Sequence, residues 1–167
     1  MDLYVLRHAI AVERGAPGFK DDSQRPLTEN GAQKMRRVAE GMLTLKVSFD
    51  VILSSPFVRA KQTAEIVADV FRVNKKLEFT PHLEVGGDPK KLIGLIDQKH
   101  GSDSSILLVG HEPYLSSFIS MLIAGTDSLS ITMKKGGLCK LRATELRYGR
   151  CAVLEWLLTP GQLTRIR

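Results

Sequence analysis

The chain has 167 residues, 43% of them hydrophobic and 25% charged, the balance of one globular domain and not of a disordered or fibrous chain. Its longest apolar runs, such as Ile106-Leu107-Leu108-Val109, fall far short of a membrane span, and Met1-Asp2 lacks the basic start and apolar stretch of a secretion signal, so a cytoplasmic protein is expected. The net charge of +6 raises nucleic acid as a partner, but the basic residues are scattered, with no run longer than two and little aromatic interleaving, and the same balance suits a substrate that carries phosphate.

Leu3-Tyr4-Val5-Leu6, bounded by Asp2 and Arg7, reads as a short strand buried on both faces, and it delivers Arg7 and His8 from its carboxyl end. A polar loop from Ala9 to Pro26 follows, longer than most connections and therefore a candidate functional loop. Thr28 is the expected N-cap of a helix with Ala32, Met35, Ala39, Met42 and Leu43 on one apolar face. Phe49 to Leu53 reads as a second strand. Ser54-Ser55-Pro56 then looks like a Ser cap with Pro at the first helical position, opening a helix that buries Ala60, Ala64, Val67 and Phe71. Leu77 to Thr80 is a short strand, a turn-rich segment runs through Gly86-Gly87, and Asp88-Pro89 starts a helix carrying Leu92, Ile93 and Ile96. Ile106 to Val109, the most apolar strand, ends in Gly110-His111-Glu112-Pro113 and precedes a helix with Leu115, Phe118, Ile119 and Leu122 on one face. Leu129 to Leu158 reads as strands with a hairpin about Tyr148-Gly149 and no long helix. Pairing about that turn sets Cys139 opposite the region of Trp156 and not opposite Cys151, so two buried free thiols are expected in place of a disulfide.

Strands alternating with helices predict an α/β fold in a single domain over residues 1–167: a three-layer sandwich with a mostly parallel central sheet, helices on both faces and late antiparallel strands. The carboxyl ends of parallel strands gather at the edge where ligands bind. Arg7 and His8, Ser54-Ser55-Pro56 with Arg59 in the following helical turn, and Gly110-His111-Glu112 would then share a crevice with two helix N-termini. Helix N-termini attract anions, and an Arg fork matches phosphate oxygens in pairs. The set describes a dianion pocket with two imidazoles in it. Taken singly, Arg59 also reads as a solvated helix residue and His111 as a core histidine hydrogen-bonded to backbone. A cation in a first helical turn opposes the dipole, however, unless an anion lies between them. Neither histidine has metal-ligand spacing to a second ligand, His82 and His100 receive no role, and no Gly-rich nucleotide loop is present.

Leu6-Arg7-His8 with a small residue after it, Arg25-Pro26-Leu27-Thr28, Ser54-Ser55-Pro56 with Arg59-Ala60 and Gln62-Thr63-Ala64, and Gly110-His111-Glu112-Pro113 occur in the order and spacing of the histidine phosphatase superfamily. The chain resembles its small SixA-type phosphohistidine phosphatase branch, from about Leu3 to the strands after Lys135. The resemblance implies a phosphoglycerate mutase-like fold without a lid insertion and a two-step phosphoryl transfer. In it, neutral His8 attacks phosphorus in line and is transiently phosphorylated, and water hydrolyses the intermediate. It also implies that Arg7, Arg59 and His111 hold the equatorial oxygens and offset their charge. Backbone N–H groups beside Glu112 would add donors, Arg25 would close the pocket from the long loop, and no metal or other cofactor is needed.

Two positions depart from the wider superfamily. Ala9 stands where most members have Gly, which the SixA-like branch accepts. Val85 stands where the phosphomonoesterase and mutase members carry an acid two residues after the Leu, and Glu84 and Asp88 are the nearest carboxylates. An alkoxide leaving group needs a proton from a general acid, whereas imidazole, already a moderate base near neutrality, needs much less help. The expectation is therefore a phosphatase acting in signal transduction on a phosphohistidine-bearing protein, such as a phosphotransfer domain or a phosphotransferase carrier, with no specific nucleic acid and no membrane as partner. Two other readings stand beside it. One is a small-molecule phosphomonoesterase using Glu84 or Asp88 as the acid. The other is a non-catalytic phosphoprotein-binding module, against which the intact His8 and His111 speak.

Overall fold

The computed structural model describes residues 1–101 and 104–166. The apolar runs of the sequence become the strands of one sheet: β1 (Asp2–Arg7), β2 (Val51–Ser54), β3 (Leu77–Phe79), β4 (Ser105–Gly110), β5 (Leu138–Ala143) and β6 (Ala152–Leu158). Their order is β3-β2-β4-β1-β5-β6. The pairs β1–β4, β2–β4 and β2–β3 are parallel, and β1–β5 and β5–β6 are antiparallel. β1, β2 and β4 are apolar at successive positions because both faces of the sheet are covered. Leu3, Val5, Ile106 and Leu108 pack on one side with α3 (Pro89–Lys99) and α4 (Tyr114–Ala124). Tyr4, Leu6, Leu107 and Val109 pack on the other with α1 (Glu29–Thr44) and α2 (Val58–Phe71). The period of two along each strand divides the core in this way and produces the expected three-layer α/β sandwich, with antiparallel strands added late in the chain.

Most of the helix starts follow the capping chemistry. Thr28 Oγ1 accepts from the Gly31 N–H at 3.0 Å, and Asp88 Oδ1 accepts from the Lys90 and Lys91 N–H groups at 2.9 and 3.2 Å. The start of α2 differs from expectation. It begins at Val58, its N-cap Phe57 has no side-chain cap, and Pro56 lies outside the helix. Ser55 Oγ accepts from the Phe57 N–H at 3.2 Å, so this hydroxyl closes the turn before the helix instead of the helix itself. Leu43 is 44% exposed, because Met35, Val38, Ala39 and Met42 already fill the narrower stripe that α1 buries. Strand structure in the last part starts at Leu138 and not at Leu129, and a short helix, α5 (Pro160–Leu163), follows β6. Cys139 pairs with Leu157, one residue from Trp156, and is a buried free thiol as expected. Cys151 is free but only half-buried, with its thiol turned to the Arg147 carbonyl. Among the described residues no helix is long and apolar enough to cross a membrane.

Candidate active site

Three parallel strands end at one edge of the sheet and bring the two expected histidines together. Arg7 of β1 lies opposite Gly110 of β4, and Ser54 of β2 lies opposite Val109. The pairing runs one residue further: the His8 N–H donates to the Gly110 carbonyl at 3.1 Å, and the Ser55 N–H donates to the Val109 carbonyl at 3.0 Å. On the other flank the Gly136 N–H reaches the Arg7 and His8 carbonyls. Both imidazoles therefore sit on backbone that the sheet fixes, with ring centroids 5.1 Å apart. Thr63 of α2 adds a brace, its hydroxyl donating to the Arg59 carbonyl at 2.6 Å and accepting from the Ala9 N–H at 3.0 Å.

The contacts of His8 assign its tautomer. Nδ1 lies 2.7 Å from the Ala9 carbonyl, which can only accept, so Nδ1 carries the proton. Nε2 then bears a lone pair, and the Arg59 Nε–H points at it from 3.3 Å. Burial is the main influence on this ring. It outweighs the pull of the Ala9 carbonyl and, with the charges of His111, Arg59 and Arg7, holds the pKa down at about 3. His8 is a neutral imidazole with its free nitrogen facing a guanidinium.

Arg59 is 2% exposed, and its other two nitrogens are both held by Asp22: Nη1 donates to the Asp22 carbonyl at 2.6 Å and Nη2 to Oδ2 at 2.9 Å. Asp22 Oδ1 in turn accepts from Arg25 Nε at 2.9 Å and from Arg14 Nε at 3.1 Å. Burial pushes the Asp22 carboxyl up, but the hydrogen bonds and charges of Arg25, Arg59 and Arg14 prevail and bring it to about 2. Arg25 also donates through Nη1 to the Val12 carbonyl at 2.6 Å. The long loop thus reaches Arg59 through Asp22, whereas Arg25, expected to close the pocket, contacts Asp22 and the loop backbone.

His111 is buried, with Nε2 2.9 Å from Ser55 Oγ and its ring 5.1 Å from the Phe57 ring. Burial first, then Arg59, and further Arg25 and Arg7, lower its pKa to about 3 against the pull of Asp22. Among the described residues its Nδ1 has no hydrogen-bond partner. Arg7 donates through Nη1 to the Met133 carbonyl at 2.7 Å, and its Nε is likewise buried without a partner. Burial lowers the Arg7 pKa while the Glu112 carboxylate opposes that shift. Glu112 Oε1 accepts from the Ser116 N–H at 3.1 Å, so its side chain serves the start of α4. Arg7 and His111 thus each keep a buried nitrogen without a partner among the described residues, in a cluster that also carries the charges of Arg59 and Arg25.

The model for the histidine phosphatase superfamily (branch 1) matches residues 3–84. The phosphohistidine phosphatase SixA of Escherichia coli (strain K12) is 32% identical over 130 residues, which cover 75% of this chain and 76% of SixA. The chain belongs to the histidine phosphatase superfamily. Among its other relatives, an uncharacterised protein of Picosynechococcus sp. (strain PCC 7002) is 34% identical over 154 residues, 88% of each chain. The structure of the protein histidine phosphatase SixA complexed with tungstate matches with a TM-score of 0.79 at 28% identity, over 98% of this chain and 99% of that one.

In this superfamily member the segment after β3 passes close to the same edge, since a side chain on Gly110 would meet the Leu83 carbonyl at 3.1 Å. Val85 is 44% exposed there. Asp88 is engaged as the cap of α3, and its hydrogen bond from the Lys91 N–H, outweighing burial, leads the causes that lower its pKa. Sequence reasoning brought Arg7, His8, Arg59 and His111 together but missed Asp22 as their organiser and Ser55 as the partner of His111. The available signal for Asp22 was its spacing of three residues before Arg25, which suits one helical turn.

Proposed function

We propose that the protein is a metal-independent phosphatase that hydrolyses phosphohistidine on another protein through a phosphorylated His8, in a single domain over residues 1–167 without a lid insertion. The observation that carries this reading is the His8 tautomer, with Nδ1–H given to the Ala9 carbonyl and the Nε2 lone pair turned to Arg59. In the first step Nε2 forms a bond to phosphorus as the N–P bond of the substrate breaks. The departing ring, protonated on its other nitrogen, leaves as neutral imidazole. In the second step water attacks phosphorus, its proton passes to solvent, orthophosphate departs and neutral His8 is restored. Arg7, Arg59 and His111 receive the equatorial oxygens, backbone N–H groups beside Glu112 add donors, and Arg25 closes the loop over the pocket by way of Asp22.

The same geometry supports the choice of leaving group. Val85 offers no proton, and Asp88 is an ionised helix cap. Without a general acid, an imidazole leaves readily and an alkoxide does not. A phosphotransfer domain or phosphotransferase carrier is the class of partner in view. Glu84 is the carboxylate that remains for the second reading, a small-molecule phosphomonoesterase.

The test is phosphate release from a phosphohistidine protein and from an alkyl phosphate ester such as glycerol phosphate, with chelator present, for the wild type, His8→Ala and Glu84→Gln. Release from phosphohistidine that survives chelator and is lost in His8→Ala is the expected result, with a poor rate on the ester. Equal or better ester turnover that depends on Glu84 favours the phosphomonoesterase. Orthophosphate binding without turnover of either substrate favours a phosphoprotein-binding module.

A further inference from the structure

Arg59 has five N–H groups, and the way Asp22 holds it decides which of them face His8. Nη1 bonds to the Asp22 carbonyl and Nη2 to Oδ2, so one residue grips the end of the fork by both main chain and side chain. Two bonds from one residue set the rotation of the guanidinium plane as well as its position. What remains toward His8 is the side edge, formed by Nε–H and the second Nη2–H. Asp22 is itself fixed: Oδ1 accepts from Arg14 Nε at 3.1 Å, Arg25 Nε at 2.9 Å and Arg25 Nη2 at 2.8 Å. Arg25 is anchored to the Val12 carbonyl, and Asp21 Oδ1 accepts from the Ser23 N–H to close the short turn Asp22–Gln24. The Phe57 ring, 5.3 Å from the guanidinium carbon, lies against Arg59.

We infer that Asp22 is a positioning residue: it acts through Arg59, aims the Nε edge at an oxyanion seated against His8, and makes the Ala9–Pro26 loop a strap that orders the site. Its effect on turnover rests on the phosphatase reading above, whereas its effect on oxyanion binding stands without it. The sign of that effect is diagnostic. Were the carboxylate only a counter-charge, its removal would leave the pocket more positive and tighten anion binding. A positioning role gives the opposite, because a freed guanidinium must be ordered again each time an anion binds.

The probe is tungstate, titrated by calorimetry against the full chain, with phosphohistidine turnover measured beside it. Asp22→Ala is expected to weaken tungstate binding and lower kcat/KM by about tenfold or more, the scale of one charge-assisted hydrogen bond. Asp22→Asn, which keeps an oxygen acceptor for Nη2, is expected to lose less, and it supplies the same test of sign if Asp22→Ala fails to fold. In an Arg59→Lys background the effect of Asp22→Ala should shrink towards nothing, since the two act as one unit. Unchanged or tighter tungstate binding in both Asp22 variants overturns the inference. An undiminished loss in the Arg59→Lys background does so as well, because it assigns Asp22 a structural role apart from Arg59. If the wild type binds tungstate and turns over no phosphorylated substrate, the phosphatase reading fails while the binding data still decide the role of Asp22.

Discussion

Arg59→Lys keeps the positive charge and removes the fork, so it separates geometry from electrostatics. Arg59 Nε lies 3.3 Å from His8 Nε2, while Nη1 and Nη2 are held by Asp22 at 2.6 and 2.9 Å. An ammonium group can take one of these places but cannot span them. A phosphoryl group against His8 therefore loses at least one hydrogen bond to a charged donor, worth about 1.5–3 kcal/mol. At about 1.4 kcal/mol for each factor of ten, kcat/KM should fall by roughly 10- to 150-fold. The fold should suffer as well, by about 1–3 kcal/mol, since Arg59 is buried and an ammonium cannot keep both of its bonds to Asp22, while Asp22 keeps Arg14 and Arg25. The assay is kcat/KM on a phosphohistidine protein, paired with urea unfolding. A variant within threefold of wild-type kcat/KM with an unchanged unfolding midpoint would refute the reasoning.

The remaining predictions concern the groups that hold this arrangement. His8 and His111 both have pKa values held down at about 3, so the native state stays neutral while the unfolded chain takes up protons below its ordinary value of about 6.5. Stability should therefore be lost as pH falls from about 6.5 towards 3, by up to about 1.4 kcal/mol per pH unit for each ring. A urea midpoint that stays flat from pH 7 to 5 would count against buried neutral histidines. Thr63→Val removes the hydroxyl that joins the Ala9 N–H to the Arg59 carbonyl. Leaving that N–H buried and unpaired should cost about 1–3 kcal/mol, read by urea unfolding, with kcat/KM reduced as well. Gly31→Ala places a Cβ on the Ile10 carbonyl, which is backbone and cannot turn aside, so unfolding should shift by about 1–3 kcal/mol.

The fold was legible where apolar runs and period-two alternation carry the information. β1, β2 and β4 announce themselves as buried strands, and Asp88-Pro89 announces the start of α3. The start of α2 was misplaced because Ser55 has one hydroxyl and several suitors: it serves the Phe57 N–H and His111, not a helix end. Leu43 shares the apolar face in sequence yet is exposed, because a helical pattern gives the direction of a side chain but not the width of the surface that receives it. In the site, Arg7, His8 and His111 could be found because strand ends share an edge, and Arg59 because a cation in an early helical turn is anomalous. Asp22 could not be found this way. It lies in a polar loop among similar residues, and its partners Arg14, Arg25 and Arg59 are collected only when the loop folds across α2.

The central claim is that His8 itself carries the phosphoryl group during turnover. The most direct measurement is rapid quenching into alkali during hydrolysis of a phosphohistidine protein, followed by mass-spectrometric mapping under alkaline conditions. The expected result is an alkali-stable phosphoryl group on His8 that appears within the first turnover, decays as substrate is consumed, and is absent from His8→Ala. Turnover that proceeds with no phosphorylated enzyme, or with the phosphoryl group on another residue, would contradict it.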